Sequence, residues 1–260
     1  MSEATLHVAQ RRGTLALAGR EVRRVLALWT QTILPPVVTA VLFLAVFGGA
    51  LGERIRQIEG LEYLAFIFPG LLVMTVASQS VANASTSLFQ AKNEGYIEDA
   101  LMAPLQAWQL VTAYMAGAVV RALAAALVIA IGGAPFADGV AHPLVAVAAL
   151  GLTALVFSAL GTIVGVWAET FDQHSFVAAI VVTPLALLGG VFYSARTLDQ
   201  PWSTLTRLDP IYYLVDATRY GFTGFHERSV GLSLGVAALA AAATFTVSAL
   251  VVGRGWRLKP

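Results

Sequence analysis

Apolar residues fill long uninterrupted blocks of this chain, and charged residues collect in the gaps between them. No Asp, Glu, Lys or Arg lies between Arg24 and Glu53, Glu62 and Lys92, Asp138 and Glu169, Asp172 and Arg196, or Arg228 and Arg254; the block from Asp99 to Asp138 holds only Arg121. An α-helix needs about 20 residues to cross about 30 Å of hydrocarbon, and every block is at least that long. The pattern predicts an all-α membrane protein with six transmembrane helices over 31–52, 64–89, 109–133, 143–168, 175–195 and 229–253.

The segments flanking these blocks carry their own periodicity. Over 15–29, Leu15, Ala18, Val22, Val25, Leu26 and Trp29 fall within about 100° of one another at helical spacing, with Arg20, Arg23 and Arg24 turned away. This predicts an N-terminal amphipathic interfacial helix whose arginines meet anionic head groups; a solvated lead-in is the alternative. Before the last span, Asp209 is an acidic N-cap followed by Pro210 at the first helical position. The residues 211–225 are apolar and aromatic, yet too short and too charged at Asp216 and Arg219 to cross. Either a short re-entrant helix that dips in and returns, or an external packed lid, fits that composition.

These elements divide the chain into a tail and interfacial helix (1–30), a transmembrane domain (31–253) with loops at 91–108 and 196–228, and a short tail (254–260). An even number of spans puts both termini on one side. Arg11, Arg12, Arg20, Arg23, Arg24, Lys92, Arg254, Arg257 and Lys259 share that side and outnumber the bases opposite, so the termini are expected to be cytoplasmic. Trp29, Trp108, Trp167 and Trp256 fall at the same ends of their spans, where an amphipathic ring prefers to sit. The first 30 residues lack a short apolar core with a small-residue cleavage site, so a removable signal peptide is not expected.

Composition agrees with this picture and narrows the chemistry. At 58% hydrophobic and 12% charged residues, the chain has too little polar surface to coat a soluble globule. A net charge of +1 with scattered bases points away from nucleic acid. There is no cysteine, hence no disulfide or thiolate chemistry. The lysines Lys92 and Lys259 follow Ala91 and Leu258, whereas a phosphate-binding loop places glycine before its lysine. His7, His142, His174 and His226 are scattered without metal-ligand spacing. No catalytic residue, metal site or enzyme activity is expected in this chain.

Polar residues inside the spans are therefore the informative ones. Thr75, Gln79, Asn83, Thr86 and Gln90 recur every three or four residues and share one face of the second span. Such a face either lines a transport path or hydrogen-bonds neighbouring helices. Arg121 sits about 18 Å along the third span from Gln109, near mid-membrane. It needs oxygen partners, from carbonyls freed at Pro184 or from the polar face of the second span, as a structural anchor or as part of a substrate path. On the cytoplasmic side, Ile97, Leu101 and Leu105 follow at intervals of four beside Glu94, Glu98 and Asp99, with Pro104 near the end. That is a short amphipathic acidic helix whose apolar edge, exposed to the cytoplasm, invites a partner; on periodicity alone a solvated loop fits equally.

Several runs resemble a known family. Trp29-Thr30-Gln31-Thr32-Ile33-Leu34-Pro35-Pro36, Phe68-Pro69-Gly70-Leu71, the stretch from Ala82-Asn83 through Ala91-Lys92 to Ile97-Glu98 and Ala103-Pro104, and Leu188-Gly189-Gly190-Val191-Phe192-Tyr193-Ser194 are similar to permease subunits of type-2 ABC exporters, among them the YadH- and NodJ-like permeases. The resemblance runs from about Val25 to Gly224. It implies a homodimer in a bacterial inner membrane, in contact with lipid and with two copies of a separate cytoplasmic ATPase that holds the ATP and Mg; this chain itself binds no cofactor. It also implies that Glu94, Tyr96, Ile97, Glu98, Asp99, Leu101, Pro104 and Leu105 form an ATPase-coupling helix. Asp209, Pro210, Tyr212, Tyr213, Arg219 and Tyr220 fall in the family's re-entrant region, where Asp209 replaces a usual Asn.

The resulting expectation is the membrane half of an ATP-driven exporter of an amphiphilic, lipid-like or lipid-linked substrate or an apolar drug. Tyr212, Tyr213, Tyr220 and Phe222 are placed to brace an apolar gate or to contact a sugar. Two rivals remain at the level of sequence: a secondary transporter or channel independent of ATP, and a membrane scaffold or sensor that transports nothing.

Overall fold

A computed structural model describes residues 3–47, 57–133, 139–255 and 257–258. The chain is an all-α membrane protein. Its helices are α1 (Glu3–Ala27), α2 (Trp29–Thr32), α3 (Leu34–Val46), α4 (Tyr63–Asn93), α5 (Ile97–Met102), α6 (Ala107–Gly133), α7 (Pro143–Trp167), α8 (Phe171–Val177), α9 (Thr183–Leu188), α10 (Trp202–Leu208), α11 (Pro210–Thr223) and α12 (Val230–Gly253). A two-residue hairpin, β1 (Gln57–Ile58) with β2 (Leu61–Glu62), precedes α4 and pairs Gln57 with Glu62 and Ile58 with Leu61. Among the described residues six segments are long and apolar enough to cross a membrane: Trp29–Val46, α4, α6, α7, Phe171–Leu188 and α12.

α4 is the axis of the bundle, with α6, α7 and α11 packed around it. Its contact with α7 is close because Gly161 and Gly165 lie against it. A Cβ on either would stand 2.8 Å from the carbonyl oxygens of Val81 and Ser85 respectively, so only a small-xxx-small face admits that approach. Lys92, at the end of α4, ties the same pair together: Nζ donates to the carbonyls of Gly165 (3.3 Å), Val166 (2.5 Å) and Ala168 (2.9 Å), which the end of α7 would otherwise leave unpaired.

Where the elements depart from the sequence reading, local chemistry accounts for it. The fifth span was expected at 175–195; it runs over Phe171–Leu188, with a π-helical stretch at Ala178–Val182 before Pro184. Proline has no N–H to continue the ladder, and Gly190 (φ 76°) turns the chain away although the following residues are apolar. The first span begins with α2 and α3 and is described as far as Phe47, so the expected stretch to residue 52 lies outside the described residues. The interfacial helix starts at Glu3, well before Leu15. The other expected spans hold to within a few residues.

Trp29, Trp108 and Trp167 gather at the end of the bundle that carries α1 and α5; Trp256 lies outside the described residues. At the opposite end stand the hairpin, α10 and α11. Phe171–Leu188 is the least covered of the six apolar segments, followed equally by Trp29–Val46 and α12. α3 is held by a phenyl cluster in which Phe47 stacks on Phe43 at 5.6 Å and on Phe192 at 5.1 Å.

Candidate functional site

The α1–α5 end is a cradle built on a buried carboxylate that the sequence reading overlooked. Glu21 accepts a hydrogen bond from Ser87 Oγ of α4 at 2.5 Å and pairs with Arg20 (3.0 Å) and Arg24 (2.9 Å) of its own helix. Gly117 of α6 admits it, since a Cβ there would stand 3.0 Å from the Glu21 Cβ. Arg24 donates to Gln90 at 3.3 Å, and the Arg20 guanidinium lies over the Tyr96 ring at 5.3 Å. The side of α1 turned to the bundle is thus Gln10, Glu21 and Val25, while Leu15, Leu26 and Trp29 of the anticipated stripe stay uncovered. The signal was present: Gln10, Leu17, Glu21 and Val25 repeat at helical spacing, but a polar pair broke the apolar reading.

α5 rests on this cradle. It is shorter than the 94–105 expected: Glu94 ends α4, Tyr96 precedes α5, and Pro104 and Leu105 lie past it. Ala103 is extended (ψ 148°) because it precedes proline. The apolar edge is also not the free surface. Ile97 is buried among Leu88, Leu110, Val111 and Tyr114, with Leu101 and Leu105 partly covered beside it. Glu94, Glu98, Asp99, Met102 and Pro104 remain exposed. An apolar row beside a packed bundle finds partners in its own chain first, which leaves the acids outward.

The polar face of α4 divides between three neighbours. Thr75 and Gln79 line a cleft of about 180 Å³ together with Ser78, Thr39, Pro35 and Phe43. Arg121 of α6 reaches the same face, its Nε donating to Gln79 Oε1 at 2.9 Å; of the two partner sets anticipated for it, this is the one realised. Lower down, Asn83 is buried with Oδ1 unpartnered, Thr86 is half-buried, and Gln90 meets α1 through Arg24. The face is a column of polar groups running from the α1 cradle to the cleft against α3.

The opposite end is plugged by α11. Asp209 Oδ1 caps it by accepting from Ile211 N at 2.8 Å, and Pro210 follows at the first helical position. Burial pushes the Asp209 carboxyl up to about 6, the cap bond opposing the rise. Arg219 is buried: it donates to the carbonyls of Phe66 (3.1 Å) and Gly190 (2.8 Å), lies 3.8 Å over the Phe66 ring and comes to 4.0 Å from Glu227. Asp216 accepts from Glu227 N (2.7 Å), Arg228 N (3.3 Å) and Ser233 Oγ (2.8 Å). The charges that argued against a crossing helix are therefore the bolts of a packed one, set among α4, α7 and α12. The Tyr212 hydroxyl donates to Glu227 at 3.1 Å and Tyr213 to Arg207 O at 3.0 Å, while Tyr220 stacks on His142 at 4.4 Å. Phe222 packs edge-on to Phe68 at 5.6 Å.

Comparison with known proteins gives this arrangement a kinship. The family described as ABC-2 type transporter matches residues 12–223. The chain is 37% identical to the inner membrane transport permease YadH of Escherichia coli K12 over 241 residues, 92% of this chain and 94% of that protein. It is 25% identical to nodulation protein J of Rhizobium meliloti over 240 residues (88% and 87%) and 27% identical to nodulation protein J of Rhizobium leguminosarum bv. viciae over 229 residues (86% and 87%).

Proposed function

The chain belongs to the ABC-2 type transporter family, and on that premise we propose that it is the transmembrane permease subunit of an ATP-driven exporter in a bacterial inner membrane, both termini cytoplasmic. It acts as a homodimer with two copies of a separate ATPase, which holds the ATP and Mg; catalysis of hydrolysis belongs to that partner. The cargo is an amphiphile, lipid-like or lipid-linked, or an apolar drug.

The observation that carries this reading is the orientation of α5. Its apolar edge is locked onto α4 and α6 through Ile97, and its acids Glu98 and Asp99 stay exposed with Glu94. A helix held this way is a lever: a partner that pushes on the acids moves the bundle rather than the helix alone. The push continues through Tyr96, Arg20 and Glu21 into α1, and through Gln90 and Ser87 into the polar face of α4. α11 closes the far end of the same helix, so movement of α4 against it opens or shuts the exit. The little-covered faces of Trp29–Val46, Phe171–Leu188 and α12 leave room for contact with a second copy.

Co-reconstitution of the chain with the ATPase that purifies with it tests this. Cargo movement that stops when ATP is withheld, or when the ATPase is left out, is the expected result; movement by the chain alone would make it a secondary transporter or channel.

A further inference from the structure

The middle of the bundle holds a cation without an anion. Arg121 stands about 21 Å along α6 from Ala107, close to the centre of that helix, and its hydrogen bond is the one from Nε to Gln79. Among the described residues no carboxylate comes within ion-pair distance of it, all five ion pairs lying elsewhere. Nearby on α4, Ser80 Oγ and Asn83 Oδ1 are also buried without partners. A guanidinium has five donors in a planar fork, and holding one in the membrane interior costs at least about 2.5 to 3.5 kcal/mol unless oxygens satisfy it.

The same protein shows what a structural buried arginine looks like. Arg219 has two carbonyls, an aromatic face and a carboxylate around it. Arg121 has one amide oxygen, and that amide lines the cleft between α3 and α4, where Leu71, Met74, Thr75 and Ser78 of α4 face Thr39 and Phe43 of α3. A cleft lined by both polar and apolar side chains, whose Gln79 holds an unneutralised guanidinium, matches an amphiphile with an anionic head.

We propose that Arg121 recognises the oxyanion head group of the transported amphiphile, a phosphate or carboxylate, with the apolar part of the molecule lying between α3 and α4. This rests on the permease reading and adds a substrate class to it.

The test uses the purified chain in a neutral detergent with three probes of identical tail: dodecyl phosphate, dodecanoate and dodecanol. The parent chain is expected to bind one or both anions about tenfold tighter than the alcohol; which anion is preferred identifies the oxyanion. Arg121→Gln is expected to bind all three alike with dodecanol unchanged, and Arg121→Lys to keep a reduced preference, since an ammonium retains charge without the fork. Equal binding of anions and alcohol by the parent, or an undiminished preference in Arg121→Gln, overturns the proposal. If Arg121→Gln does not survive purification, Gln79→Leu decides: a preference reduced severalfold supports the proposal, and an unchanged one overturns it. Binding is read without an ATPase, so loss of coupled transport counts against the export reading alone, and equal binding beside intact transport counts against this inference alone.

Discussion

Ser87 Oγ and Glu21 Oε2 lie 2.5 Å apart, and this hydrogen bond fastens the N-terminal helix α1 to the axial helix α4. Glu21 also balances Arg20 and Arg24. Its side chain is 3% exposed, while Arg20 and Arg24 are 46% and 32% exposed, so most of the cost of losing it is an orphaned hydroxyl and a partly screened pair of cations. Glu21→Ala should destabilise the protein by on the order of 2 kcal/mol and free α1 from the bundle. Limited proteolysis in detergent should then cut within α1 before any other helix. Glu21→Gln, which can still accept from Ser87, should lie between parent and Ala; equal protease resistance in all three would remove Glu21 as the fastening.

The two faces of α5 should separate stability from coupling. Ile97 is 1% exposed among Leu88, Leu110 and Tyr114. Ile97→Ala should therefore cost about 2 to 4 kcal/mol, seen as a lowered melting temperature whether or not an ATPase is present. Glu98→Ala with Asp99→Ala changes only exposed groups, which belong to the class of substitutions within about 0.5 kcal/mol. The pair should melt like the parent yet fail to co-purify with the ATPase or to couple hydrolysis to transport. Normal coupled transport by the double variant would place the ATPase contact elsewhere.

The six spans were legible because the cost of putting a charge in hydrocarbon writes itself into the sequence as gaps between charges. Helix ends were legible where a local rule governs them: Asp209-Pro210 starts α11, and Pro143 opens α7. What escaped depended on partners remote in the chain. Ser87 is 66 residues from Glu21, and Phe66 is 153 residues from Arg219. Nothing local to Arg219 announces burial, and at Glu21 the only local signal is its spacing with Leu17 and Val25, since an isolated charge reads as a solvated one. For the same reason the apolar edge of α5 read as a free surface: periodicity reports that a stripe exists, not whether α6 already covers it. The polar line of α4 was legible as one face, but only the fold divides it among α1, α6 and the cleft at α3.

Arg219 makes a sharp case for arginine over lysine. Nε and Nη2 donate to the carbonyls of Phe66 and Gly190, while the plane lies on the Phe66 ring. A lysine carries the charge to one point and cannot serve both carbonyls and the ring face. Arg219→Lys should destabilise the protein by roughly 2 kcal/mol, and Arg219→Ala by about 3 to 5 kcal/mol, because Glu227 and two carbonyls are then left buried and unserved. Thermal melting in detergent checks the ranking; a lysine variant as stable as the parent would mean that charge alone matters there.

Asp209 should give the protein a measurable dependence on pH. It is 4% exposed, Oδ1 accepts the cap bond from Ile211, and Oδ2 is buried without a partner. Burial raises its pKa from 3.8 to about 6, so the fold favours the protonated acid. The corresponding stability is fully present below about pH 3.8 and is lost as pH rises through about 6. That amounts to on the order of 2 to 3 kcal/mol at most. Asp209→Asn keeps a cap oxygen and removes the titration. The variant should match the parent near pH 4 and melt higher at pH 7.5, which a pH series of melting temperatures reads directly. A parent curve whose slope between pH 4 and 7 survives unchanged in Asp209→Asn would assign the titration to another group.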